Sequence, residues 1–202
     1  MNLEPPRTTA ATVFGILNII FASLGFLAFA SAVVSLLVDF NQLFNVPPPP
    51  PGSLQARQLA ISKDPQFLNL NLMLQCFKFL LAVELLFSGI YLLKKQLLGR
   101  TLALCFVLGQ ALFVLISLIF YYLWVAKPLL ELLPLATNPA ESLAMRMQAY
   151  LPLIMWPITG LTYELIMLCF MLRPSFKRAL EAAEAAAKAP PEEAAEEGLP
   201  VE

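Results

Sequence analysis

An all-α bundle of four transmembrane helices follows from three features of this 202-residue chain. Hydrophobic residues make up 59% and charged residues 13%, where soluble domains carry about 45–50% and about 25%. Four apolar runs, residues 10–38, 72–93, 101–125 and 151–172, are each long enough to cross ~30 Å of hydrocarbon at ~1.5 Å per residue. The densest positive charge, Lys94, Lys95 and Arg100, sits in the short connection between the second and third runs. A link that short only reverses the chain, so these two runs form a helical hairpin.

Residues 1–9 are a short polar start with Arg7 as their cation. The first run, 10–38, carries no charge. Ala30-Ser31-Ala32 has the small-x-small form of a signal cleavage site, but the preceding run exceeds a 7–15-residue h-region and Val33 to Val38 stays apolar, so a retained helix is expected. Ala22, Gly25, Ala28, Ser31 or Ala32, and Ser35 recur three to four apart, a stripe expected to face another helix.

The first loop, 39–64, places Phe40 and Phe44 at the interface and then runs through Pro47 to Pro51, which favours a stiff polyproline II spacer over a proline-domain ligand. Asp64-Pro65 reads as an N-cap followed by proline at the first helical position. The second helix therefore starts near 65, with its membrane part at about 72–93, and projects Asn69, Asn71 and Gln75 at its outer end. Residues 94–100 form the turn and 101–125 the third span, ending in the interfacial rings Tyr121, Tyr122 and Trp124.

The second loop, 126–150, contains a capping pattern, Asn138-Pro139-Ala140-Glu141. Leu143, Met147, Tyr150 and Leu151 follow at helical spacing, predicting a short amphipathic helix along the interface. The fourth span, 151–172, is followed by Arg173, Lys177 and Arg178. The tail, 173–202, is Ala/Glu-rich. It is expected to be helical from Ser175 to Lys188, with a Glu184–Lys188 pair. Beyond Pro190-Pro191 it is acidic and expected to be disordered, as a solvated end or a docking motif.

Lys and Arg accumulate on the cytoplasmic side. Seven cations (Arg7, Lys94, Lys95, Arg100, Arg173, Lys177, Arg178) fall on one side and four (Arg57, Lys63, Lys127, Arg146) on the other, predicting both termini in the cytoplasm.

The net charge of -1 gives no basic face for nucleic acid. There is no histidine, the commonest general base and metal ligand. Cys76, Cys105 and Cys169 lie singly in apolar runs and read as buried small hydrophobes. No phosphate loop, nucleophile elbow or metalloprotease motif is present, so neither an enzymatic activity nor a cofactor is expected.

Charges inside a span are each a site hypothesis. Glu84 and Glu164 both fall about 12–13 Å from the inner boundary, as does the amide of Gln110. They predict one midplane layer, either an interhelical clamp or a site handling a proton, cation or substrate. Two carboxyl groups in low dielectric cannot both stay charged cheaply, so at least one is expected to be protonated and hydrogen-bonded. Pro157 and Gly160, near Glu164, suggest a local break and close approach. Lys78 lies about 240° around the helix from Glu84 and is expected to snorkel to the outer boundary or to pair with a loop acid.

The segment Gly89-Ile90-Tyr91-Leu92-Leu93-Lys94-Lys95, with Gly99-Arg100-Thr101-Leu102-Ala103-Leu104, resembles the GxxLLKxxxxGRxLAL hairpin of small uncharacterised bacterial membrane proteins with four spans. Gly15-Ile16-Leu17-Asn18 and Met171-Leu172-Arg173-Pro174-Ser175-Phe176-Lys177 are similar to the same group. The resemblance implies topology and a bacterial cytoplasmic membrane. The cysteine pairs of tetraspanin and claudin outer loops have no counterpart.

The expected function is that of a non-enzymatic scaffold or interaction subunit in the lipid bilayer, paired with a membrane protein or with copies of itself. The alternative is a small transporter or channel subunit using Glu84, Gln110 and Glu164.

Overall fold

The computed structural model describes residues 9–38, 47–50, 53, 56, 59–61, 63–135 and 139–188. The polar start, Phe40, Phe44, Pro51, the Asn138 cap and the acidic tail fall outside these residues.

The described chain forms α1 (Thr9–Leu37), α2 (Pro65–Leu93), α3 (Leu97–Tyr121), a π-helical turn (Tyr122–Ala126), the short α4 (Lys127–Glu131), a 3-10 turn (Leu133–Leu135), α5 (Pro139–Met171) and α6 (Pro174–Lys188). Four helices are long and apolar enough to cross a membrane: α1, α2, α3 with its continuation to Glu131, and α5. The chain is thus an all-α, multi-pass membrane protein.

Asp64 starts α2 as its composition predicts, Oδ1 accepting from the N–H groups of Gln66 at 2.7 Å and Phe67 at 3.3 Å. The helix ends in a Schellman motif. Gln96 N–H donates to Tyr91 O and Lys95 N–H to Leu92 O, both at 2.9 Å, while Lys95 takes the left-handed φ of 56°. This tight reversal lets α3 begin at Leu97, four residues before the expected Thr101. Gly99 makes that start possible, because a Cβ there would stand 2.5 Å from Leu92 N and 2.8 Å from Tyr91 C.

The spans pack antiparallel in the order α1, α2, α3, α5. Gly15 meets Gly89, where a Cβ on Gly89 would lie 2.8 Å from Gly15 O, and Gly25 meets Ala82. The small-residue stripe of α1 faces inward only in part. Ala22 is buried and Gly25 and Ala32 are half-buried, whereas Ala28, Ser31 and Ser35 are exposed. The buried face instead continues toward the start of α1 through Ala11, Phe14 and Asn18.

The core gathers at the end carrying the 94–96 turn, here the hairpin end. Phe14, Leu85, Leu92, Phe106, Met167 and Met171 pack there, covered by Phe176 and Leu180 of α6. At the opposite, far end Tyr121, Ala126, Leu129, Met145 and Ala149 form a second cluster.

Two expectations are corrected. The interfacial helix and fourth span are one 33-residue helix, α5, containing Pro152 and Pro157; proline inside a span is tolerated where neighbouring groups satisfy the freed carbonyls. Cys76, Cys105 and Cys169 are exposed on the bundle surface rather than buried. In lipid the outer face is itself apolar, so an apolar run does not distinguish inside from outside. The π turn before Pro128 has a local cause: proline lacks an N–H and crowds the carbonyl four back. Lys127 accordingly donates to Tyr122 O, five residues away.

Candidate functional site: a polar chain through four spans and a cavity at the far end

Asn18 is the centre of the buried polar chemistry. Its side chain is 0% exposed, as is that of Ser88. Tyr163 Oη donates to Asn18 Oδ1, Asn18 Nδ2 donates to Ser88 Oγ at 3.0 Å, and Ser88 Oγ donates to Gly99 O at 3.0 Å. The chain thus runs from α5 through α1 and α2 to α3, each donor feeding the next acceptor. Phe21 fixes Tyr163 by a ring contact at 4.4 Å. Buried polar groups are expensive in hydrocarbon unless paired, so this sequence of bonds specifies which helices meet and at what depth.

The expected Glu84–Gln110–Glu164 layer is not joined by hydrogen bonds among the described residues. Phe77 packs on Phe113 at 6.0 Å, and a Cβ on Gly109 would meet Leu81 Cδ2 at 2.6 Å. That register sets Phe106 across from Glu84 and Gln110 about one turn farther from the hairpin end. The four-residue earlier start of α3 accounts for the offset.

Gly160 lies against Val114, with 3.5 Å between a built Cβ and Val114 Cγ2. That 3.5 Å is ordinary contact, so close approach does not require glycine at 160. Glu164 is buried and its Oε2 has no hydrogen-bond partner. Glu84 is half-buried.

Lys78 belongs with Gln110. Both line a cavity of about 320 Å³ between α2, α3 and α5, with Asn71, Gln75, Ser117 and Thr159. Ser117 Oγ is buried without a partner, and Asn71 Oδ1 accepts from Gln75 Nε2 at 3.5 Å.

The hairpin end is held by charge. Arg100 Nε donates to Met171 O at 2.7 Å, capping the end of α5, and the Arg173 guanidinium lies 4.8 Å over the Phe170 ring. Glu184 Oε2 accepts the Leu97 N–H at 3.0 Å, so α6 caps the start of α3. That backbone bond, then the Lys188 ammonium 2.6 Å from Oε1, holds the Glu184 carboxyl below the usual carboxylate range. Lys94, Lys95, Lys177 and Arg178 are exposed around this end.

Among the described residues no three His, Cys, Asp or Glu side chains could hold a metal ion. Asn18, Tyr163 and Ser117 carry no charge, so an apolar run does not mark them as it marks Glu84 and Glu164. An uncharged amide in a 29-residue apolar run was the available signal. No family model, no curated protein and no solved structure matches the chain.

Proposed function

We propose that this chain is a non-enzymatic integral membrane protein acting as an interaction subunit, a scaffold for a second membrane protein or for further copies of itself. One observation carries the reading: a chain of hydrogen bonds joins all four spans through Asn18 and Ser88, both at 0% exposure. The hairpin half is therefore filled by packed side chains where a conducting protein would keep a path. A bundle that ties its own interior presents a fixed surface to a neighbour.

Its membrane is the bacterial cytoplasmic membrane, with both termini in the cytoplasm. Support for the orientation comes from Lys94, Lys95, Arg100, Arg173, Lys177 and Arg178, which gather at one end of the bundle. The GxxLLKxxxxGRxLAL resemblance supports the bacterial assignment.

Crosslinking in the native membrane followed by purification is expected to recover a stoichiometric partner or a defined homo-oligomer. Recovery of a lone monomer overturns the reading. A cysteine placed at Gln96 is expected to be shielded from an impermeant maleimide in intact cells, and labelling from outside overturns the orientation.

The second reading, a transporter or channel subunit, draws on the unpartnered Oε2 of Glu164. Proton or solute flux in proteoliposomes that Glu84→Gln with Glu164→Gln abolishes would establish it in place of the first.

A further inference from the structure

The far half of the bundle is built differently from the hairpin half. Toward the hairpin end α1 fills the space between α2 and α5, through the Phe14–Phe170 ring contact at 5.1 Å and the hydrogen bonds of Asn18. Farther out α1 follows α2, with Phe26 and Phe29 on Phe79 at 5.4 and 4.8 Å. Among the described residues none from α1 lines the cavity of about 320 Å³, whose walls come from α2, α3 and α5.

The lining has one sign of charge. Among the described residues Lys78 is its only ionisable one, and it has no ion pair there. The amides of Gln75 and Gln110 line the same cavity as neutral donors. Phe113, Phe120 and Trp156 complete the wall. An ammonium without an ion pair in one cavity with two amides is the complement of an oxyanion, and the rings suit the start of an acyl chain. Lys78 lies fifteen residues from Leu93, about 22 Å along α2, so its ammonium reaches the far edge of a ~30 Å hydrocarbon layer. Lipid phosphates lie just beyond that edge.

We infer that this cavity binds the phosphate head of an anionic phospholipid, entering sideways between α2 and α5, with Lys78 as counter-ion and Gln75 and Gln110 as hydrogen-bond donors. The inference is independent of the scaffold reading.

Purified full-length protein in detergent is titrated with phosphatidylglycerol, phosphatidylcholine or inorganic phosphate and followed by native mass spectrometry and thermal unfolding. One phosphatidylglycerol is expected to bind about tenfold or more tighter than phosphatidylcholine. Lys78→Met should lose that preference and Lys78→Arg should keep most of it. Thr159→Phe narrows the cavity from an exposed helix face without touching Lys78, so it should weaken phosphatidylglycerol binding even if Lys78→Met folds poorly. Equal binding of the two lipids, or an unchanged preference in both Lys78→Met and Thr159→Phe, overturns the inference. So does a Lys78-dependent shift with inorganic phosphate but none with phosphatidylglycerol, which would assign the site to a soluble anion.

Discussion

At the residue scale, the fold turns on an amide that carries no charge. Asn18 bonds to both Tyr163 and Ser88, and removing it leaves the Tyr163 hydroxyl buried without an acceptor. Interhelical hydrogen bonds in membranes average about 0.6 kcal/mol and reach about 1.7. Asn18→Ala breaks two of them and should lower unfolding free energy by about 1–3 kcal/mol. Tyr163→Phe breaks one and should cost about 0.6 kcal/mol. Chemical unfolding in mixed micelles ranks the two, and equal costs would mean that the chain is not centred on Asn18. Glu84 and Glu164 are conspicuous in the sequence because charge inside a span is rare, and Gln110 because it falls at their depth, yet the bonded chain across all four spans is made by Asn18, Ser88 and Tyr163. Depth along a helix is legible from residue counting. Which side chain faces which depends on register, and the register was set by an unread feature, the close approach at Gly99.

Element boundaries show the same limit. Gly99 and Arg100 look like turn residues, but Gly99 lies in the first turn of α3 against the Leu92 backbone, and Arg100 reaches Met171 O. Gly99→Ala should therefore destabilise by about 1–3 kcal/mol, since backbone must shift to admit the methyl. Gly160→Ala, whose Cβ would find ordinary contact at 3.5 Å, should be neutral or stabilise by up to about 1 kcal/mol through helix propensity. Thermal unfolding of the two variants compares them directly. The helix 174–188 was readable from composition, but its docking was not, because nothing local marks Glu184 as the cap of a helix begun 87 residues earlier. Its carboxyl titrates below the usual range. A lowered folded value means the contribution is present above about pH 4.3, the ordinary glutamate value, and is lost as pH falls through the lower folded value. Hydrogen exchange at the Leu97 amide, corrected for intrinsic rate, should stay protected from pH 7 to 5 and open only in stronger acid. Lys188→Met should move that opening to higher pH, because the ammonium helps hold the carboxyl charged.

For the whole molecule, crossing number and helical class were legible because the bilayer imposes length and apolarity on any span. Inside and outside were not, because lipid and core select the same side chains. The three exposed cysteines follow from this, as do Leu27, Met73 and Leu108 at 67%, 68% and 72% exposure. The distinction has a direct consequence in two leucines of the central hairpin. Leu92 is 0% exposed and packs in the core, while Leu108 is the most exposed of the large apolar side chains among the described residues. Leu92→Ala removes contacts that no lipid replaces and should cost about 2–5 kcal/mol. Leu108→Ala exchanges side-chain contact with acyl chains for acyl chains alone and should leave the unfolding free energy in micelles within about 0.5 kcal/mol of the parent. The pair is best measured in one micelle composition, because both substitutions reduce apolarity equally and differ only in what surrounds the site. A comparable loss at both positions would mean that the face carrying Leu108 is covered, by a partner span or a second copy of the chain.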